Sequence, residues 1–302
     1  MSEFYAWLAS LAARGVLPEV FQYAFFVRGL LSVALLAPLL GGISHLVVAR
    51  RLSFFSAALG QAALTGLVIG LLLGEPVTSA YGGIFGFCLL SALAMVYVKR
   101  HASLPPDTLV GVFLAMTLGL GICLLVAVAK RFNIHQIEAV MFGSLLTVTD
   151  ADLALLLGVG VVVALVLAWI YNRLLLDSVE SSLARVGGAP TVLYDYLFVV
   201  LLTAAIVVSL KVIGALLVEA MVVVPAAAAR NLARGARSYL LLSVVIAWLA
   251  GVGGLFLSTR VLVPSGGAVV LFLSCAFFLT LGLAGVRALF HAQEPSAEED
   301  VG

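Results

Sequence analysis

Charge is scarce in this sequence. Asp, Glu, Lys and Arg together make up 10% of its 302 residues, against roughly 25% in a soluble domain. Hydrophobic residues make up 64%, and the mean hydropathy is +1.23. A chain of this composition has lipid as its solvent, and one helical bundle can absorb its whole length. The net charge of +1 gives no global field for nucleic acid. The three cysteines, Cys88, Cys123 and Cys275, stand singly in apolar runs with neither disulfide nor zinc spacing, and read as packing residues. No G-x-x-x-x-G-K-[ST] loop occurs, so the chain holds no ATP in a P-loop. H-E-x-x-H and G-x-S-x-G are missing as well, and the four histidines are scattered over loops and span ends, which argues against an enzyme. Glu3 and the lack of a basic region before a short apolar core do not fit a cleaved signal peptide.

What is present is a series of long apolar runs. A spanning helix needs about 20 such residues. Candidates fall at 23–49, 54–73, 78–98, 108–129, 153–172, 192–210, 212–224, 239–258 and 267–289. The expected fold is therefore all-α, a polytopic membrane bundle of about eight or nine helices. The run 212–224 reaches only about 20 Å and follows its predecessor with Lys211 alone between them, so the pair reads as a full helix in and a short or broken helix back. Residues 1–20, with "FYAWLASLAARGVL", read as an amphipathic segment on the membrane surface. The transmembrane bundle then covers 21–291, and the acidic end, 292–302, reads as a disordered cytoplasmic tail.

With nine crossings and the N-terminus outside, the inner loops hold Arg50, Arg51, Lys99, Arg100, Arg173, Arg185, Arg230, Arg234, Arg237 and Arg287. The outer side and first span hold Arg14, Arg28, Lys130, Arg131, Lys211 and Arg260. This bias sets the orientation. Gly66, Gly70 and Gly74, and likewise Gly82 and Gly86, recur every four residues and read as close helix packing within the bundle. Residues 130–152 form the longest polar interruption, in which "IHQIEAVMFGSLL" has the pattern of a short surface helix and Thr149 or Asp150 starts the next span. His135 and Glu138 lie three apart there, either an entry site or a contact for a partner protein, or solvated surface. Asp107 reads as a helix N-cap, and Glu75 with Pro76 marks an outer turn.

The stretch "GALLVEAMVVVPAAAARNLARGAR" sets the functional question. Glu219 is the one acid well inside a span. An ionisable group there is costly and marks function by default, with a structural, hydrogen-bonded acid as the other reading. Pro225 is expected to break the helix. Arg230, Arg234 and Arg237 follow on a short basic helix at the inner surface, as membrane anchors or as a docking element.

Five stretches in order, "VRGLLSVALLAPLLGGISHLVVARRLSFFSAALGQAALTG", "PPDTLVGVFLAMTLGLG", "MFGSLLTVTDADL", "KVIGALLVEAMVVVPAAAARNLA" and "VPSGGAVVLFLS", resemble the membrane subunit of ABC importers for zinc, manganese and iron. The resemblance spans roughly 25–285. It implies a fold similar to the vitamin B12 and siderophore importer permeases, a homodimer in the bacterial inner membrane, separate ATPase subunits that hold the ATP, and an extracytoplasmic metal-binding protein. It also implies that about 225–237, with Pro225, Ala229, Arg230, Arg234 and Arg237, couples to the ATPase. The chain itself would bind no resident cofactor, a divalent cation being its cargo.

One departure stands out. Members of this family tend to carry an aspartate and a histidine four apart in the second span, on one helix face. The matching residues here are Ala57 and Gln61, poor ligands for zinc. Gln61 could offer an amide oxygen to a harder ion such as manganese. Glu219 is the candidate to replace the lost pair from another helix. Two competing functions stay open from the sequence: an ABC permease for another cargo, and a proton-coupled secondary transporter using Glu219.

Overall fold

A computed structural model of the chain describes residues 2–14, 18–76, 81–102, 105–128, 148–179, 191–261 and 263–292. Its helices are α1 (Ser2–Ala13), α2 (Ala24–Ala49), α3 (Phe55–Leu72), α4 (Tyr81–His101), α5 (Pro106–Val128), α6 (Asp150–Val179), α7 (Thr191–Ile213), α8 (Ala215–Arg230), α9 (Ala236–Val261) and α10 (Ser265–Ala292). Eight of them, α2 to α7, α9 and α10, are long and apolar enough to cross a membrane. In hydrocarbon each backbone N–H and C=O must find a partner inside the chain, and continuous helices meet that demand locally. α2, α3 and α7 are buried along most of their length, while α5, α6 and α10 expose most of theirs. α8 lies among α2, α3, α7, α9 and α10.

The few charges sort into two layers. At one end Arg28 Nε donates to Asp150 Oδ1 at 2.8 Å, as does the Tyr5 hydroxyl at 3.0 Å, which fastens α1 to the starts of α2 and α6. Burial first, and Asp150 beside it, push the Tyr5 phenol above its ordinary pKa, so it stays a donor. Lys211 pairs with Asp152 at 3.1 Å and donates to the Tyr81 hydroxyl, tying together α4, α6 and α7. Asp152 also closes a capping box, accepting from the Thr149 N–H at 3.1 Å while Thr149 Oγ1 accepts from the Asp152 N–H at 3.2 Å. Thr149 is thus the N-cap of the span, as expected.

At the opposite end Asp195 of α7 receives Arg50 of α2 at 2.6 Å and Arg100 of α4 at 2.5 Å. The aliphatic and aromatic shoulders help: Arg50 lies over the Phe198 ring and Arg100 over Tyr196. Along α2 the rise from Arg28 to Arg50 is about 33 Å, and along α4 from Tyr81 to Arg100 about 28 Å. Both match a hydrocarbon core of about 30 Å. The two layers therefore mark the two membrane faces.

Between them, glycines set the closest approaches. A Cβ on Gly66 of α3 would sit 2.6 Å from the Gly83 carbonyl oxygen of α4, and one on Gly83 would sit 2.5 Å from the Gly70 Cα. Of the two glycine series, Gly66 and Gly70 serve packing inside the bundle as expected, but their partner is Gly83; a Cβ on Gly86 would meet open space. Gly74, at φ +92°, ends α3 in a left-handed turn instead of packing. The Glu75 carboxylate then accepts from the Gly83 N–H at 3.2 Å, so the outer turn caps α4.

Three local expectations change. Pro225 does not break a helix: α8 runs through it to Arg230. The break lies at Gly214, whose φ of 80° only glycine adopts readily. Proline costs α8 one donor, and the bundle compensates next door, where the Ala226 N–H donates to Ser44 Oγ of α2 at 3.0 Å. The expected basic helix is also not a separate element. Residues 226–230 finish α8, 231–235 turn, and Arg237 lies in the first turn of α9. α5 begins at Pro106, which puts Asp107 inside its first turn and not at its cap. The "IHQIEAVMFGSLL" pattern, His135, Glu138 and the tail after Ala292 lie outside the described residues.

The layers allow a direct test of orientation. With the native cysteines replaced, Pro76→Cys should react with a membrane-impermeant maleimide applied from outside, and Ala236→Cys should be spared. The reverse labelling pattern would place the Arg50–Asp195–Arg100 layer outside.

Candidate functional site

α8 starts at Gly214 beside the Lys211 layer and carries Glu219 just over one turn inward. Opposite it, α3 offers Gly60. A Cβ there would lie 2.7 Å from Glu219 Oε1 and 3.6 Å from the Ala215 Cβ. The missing side chain leaves the slot that the carboxylate occupies. Gly60 stands between Ala57 and Gln61 in "SAALGQAAL", and positions three and four apart share one helix face. Glu219 thus packs on α3 at Gly60, one turn from Ala57, whereas Gln61, next to Gly60 in sequence, points about 100° away from it around the helix.

Accessibility singles out the two expected path positions. α3 is buried at nearly every position, yet Ala57 and Gln61 are half-exposed. On α8 a strip of partly accessible residues, Leu216, Glu219, Ala220, Val223, Val224 and Ala227, runs the length of the helix at helical spacing. Glu219 is the sole ionisable group on that strip. Among the described residues no hydrogen bond or ion pair engages its carboxylate, and no group of three His, Cys, Asp or Glu side chains gathers to hold a metal.

Depth follows from helical rise. Glu219 lies about 7.5 Å along α8 from the Gly214 joint. Its neighbour on α3, Leu59, accepts from Cys88 Sγ at 3.6 Å, and Cys88 lies about 10.5 Å along α4 from Tyr81. The two routes put the carboxylate about a quarter to a third of the way from the Lys211 layer toward the Asp195 layer.

The second expected site, at 225–237, is a compact corner. Leu232 and Ala233 N–H groups both bond to the Ala229 carbonyl, and Asn231 Nδ2 donates to Thr280 Oγ1 of α10 at 3.1 Å. Ser238 Oγ accepts from the N–H groups of Arg234 and Gly235, capping α9. Arg230, Arg234 and Arg237 are exposed on this corner. Pro225 and Ala229 are buried, Ala229 at 0% exposure, so they shape the corner from inside and cannot touch a partner themselves.

Sequence reasoning missed Gly60, Ser44 and the ion-pair layers. Gly60 carried one readable signal, a glycine within a span between the two family ligand positions. Ser44 and the pairing of Asp195 carried none, since both depend on contacts across helices far apart in sequence.

Comparison with known proteins agrees with this geometry. A family model described as the ABC 3 transport family matches residues 22–284. The manganese import system permease protein ScaB of Streptococcus parasanguinis is 31% identical over 258 residues, covering 85% of this chain and 90% of that protein. The high-affinity zinc uptake system membrane protein ZnuB of Haemophilus influenzae is 29% identical over 262 residues, covering 86% and 98%. Among solved structures, PsaBC from Streptococcus pneumoniae in complex with Fab aligns with a TM-score of 0.75 and 27% identity, covering 88% of this chain and 96% of that one. A second structure, described as an inward-facing metal-chelate type ABC transporter, aligns with a TM-score of 0.63 at 17% identity and shares the fold. With its match over most of the chain and its stack of spanning helices, the protein is a multi-span component of the bacterial inner membrane and belongs to the ABC 3 transport family.

Proposed function

We propose that this chain is the permease subunit of an ATP-driven importer of divalent metal ions, and that the cation passes Glu219 on the groove between α8 and α3. The observation that carries the path is the placing of one accessible carboxylate against Gly60, beside Ala57 and Gln61, on an otherwise apolar strip. Relatives named for manganese and zinc uptake support the cargo class. Two copies of the chain would face each other across this strip, each contributing one Glu219. The ATP is bound and hydrolysed on separate subunits that meet the exposed arginines of the 231–235 corner. An extracytoplasmic metal-binding protein delivers the ion at the Lys211–Asp152 end. Manganese fits the oxygen donors of Glu219 and Gln61 better than zinc, which favours imidazole and thiolate.

Charge removal at constant shape tests the path. Glu219→Gln should lower metal uptake by about tenfold or more, as expected for loss of a charged contact of ~1.5 kcal/mol or more. Expression, folding and assembly should hold. Uptake at the parental rate by a well-expressed Glu219→Gln protein would remove Glu219 from the path.

Gly60 offers a second handle. Gly60→Val puts methyl groups where Glu219 Oε1 now lies and should cut uptake while the bundle still forms, because the carboxylate is the mobile end of a side chain and can swing aside. Normal uptake in this variant would mean that the slot is not on the route.

The corner is tested separately. Arg230→Glu with Arg234→Glu should reduce co-purification of the ATPase subunits and uptake together, since both guanidinium groups are exposed and support no packing of their own. Full association in that variant would move the docking surface elsewhere.

A further inference from the structure

Near the Asp195 end of the bundle, three side chains whose rings meet carry four buried polar atoms that make no hydrogen bond of good geometry to the protein. They are both ring nitrogens of His45 on α2, the hydroxyl of Tyr171 on α6 and the hydroxyl of Tyr239 on α9. His45 is 1% exposed. Its ring centroid lies 5.4 Å from that of Tyr171 and 5.8 Å from that of Tyr239. Native interiors satisfy nearly all such groups, and a cluster of them from three helices calls for a common partner.

We propose that His45, Tyr171 and Tyr239 form a binding site for internal water, holding about one or two molecules between α2, α6 and α9. The donor inventory fits. A neutral imidazole offers one donor and one acceptor, and each phenol offers both. A buried water typically makes about three hydrogen bonds, and three side chains surround this one. A direct His–Tyr bond would satisfy one nitrogen and leave the other, with one hydroxyl, unpaired. An ion is a poorer occupant, because the cluster contains neither a carboxylate nor a thiol to balance its charge. Water can reach the site: Tyr171 and Tyr239 are half-buried, and Tyr239 is in the first turns of α9, next to the 231–235 corner.

The position gives the water a role. Ser44, beside His45, accepts the Ala226 N–H where Pro225 weakens α8. Two adjacent residues of α2 thus hold both the proline turn of α8 and the hydrated cluster under α9. Water-bridged contacts hold nearly as well as direct ones and re-form after a small displacement, so α2 keeps its grip while the corner beyond α8 shifts. This role is independent of the Glu219 path.

The test uses the full-length chain in lipid nanodiscs, with apparent Tm measured at one scan rate. His45→Phe, Tyr171→Phe and Tyr239→Phe are made singly and in all three pairs. A shared water predicts that each single change lowers Tm by a few degrees and that every pair loses less than the sum of its singles. Singles that leave Tm unchanged or raise it would show a dry cluster and overturn the proposal. Coupling confined to one pair would show a direct bond and overturn it equally. If His45→Phe does not fold, an electron-density or cryo-EM map decides: water within hydrogen-bonding reach of His45 and a tyrosine supports the site. A map that resolves waters elsewhere in the chain and none at His45 rejects it.

Discussion

In lipid a charge has few places to go, and the bundle is organised around that limit. Every ion pair found among the described residues lies in one of two layers about a hydrocarbon thickness apart. Each layer joins helices distant in sequence: α2 with α6, and α4 and α6 with α7, at one end, and α2 and α4 with α7 at the other. A carboxylate shared by two guanidinium groups, as at Asp195, also fixes the height at which the three helices stand. Dispersion and glycine contacts then fill most of the space between, with a few hydrogen bonds between helices, such as Thr65 Oγ1 to the Thr117 carbonyl and the Ala226 N–H to Ser44 Oγ. The closeness of α3 to α4 at Gly66 and Gly83 depends on that register, because a slide of one residue would bring side chains into the glycine contact.

Set in this frame, α8 departs from its neighbours in each feature that concerns transport. It is shorter than the spanning helices, starts at a left-handed glycine and carries a carboxylate away from both layers; like α2, which holds Pro38, it also has a proline within its length. Each departure has a local answer. Gly214 supplies the turn, Ser44 receives the N–H that follows Pro225, and Gly60 yields the room Glu219 needs. The carboxylate alone has no hydrogen-bond or ion-pair partner among the described residues to offset its burial.

Much of this was legible from composition and pattern. Long apolar runs located the spans, and the short run after Lys211 disclosed the broken pair. Thr149 was one of two candidates to start its span, and the fold makes it the N-cap. Glu219 stood out as the one acid well inside a span. What the sequence hid was tertiary. Pro225 looked like a terminator because propensity treats proline in isolation, whereas a serine from α2 makes it tolerable. The arginines after it looked like a helix of their own because a basic run at 3–4 spacing has that pattern; in the fold they divide among a helix end, a turn and a helix start. His45, Tyr171 and Tyr239 looked like isolated polar residues, since their meeting needs three helices placed first.

The depth of Glu219 has an electrical meaning. A carboxylate a quarter to a third of the way from the outer layer to the inner one also lies about that far down the membrane potential, if the field falls evenly between the layers. A unit charge crossing the full drop gains about 2.3 kcal/mol per 100 mV, so a divalent cation that has travelled only as far as Glu219 gains about 1.2–1.5 kcal/mol per 100 mV. With the proposed orientation, the negative interior of an energised cell would tighten occupancy of that position by roughly tenfold per 100 mV, before any ATP is spent. The glycine that places α8 at this height therefore also sets how strongly a living membrane pulls its ion in.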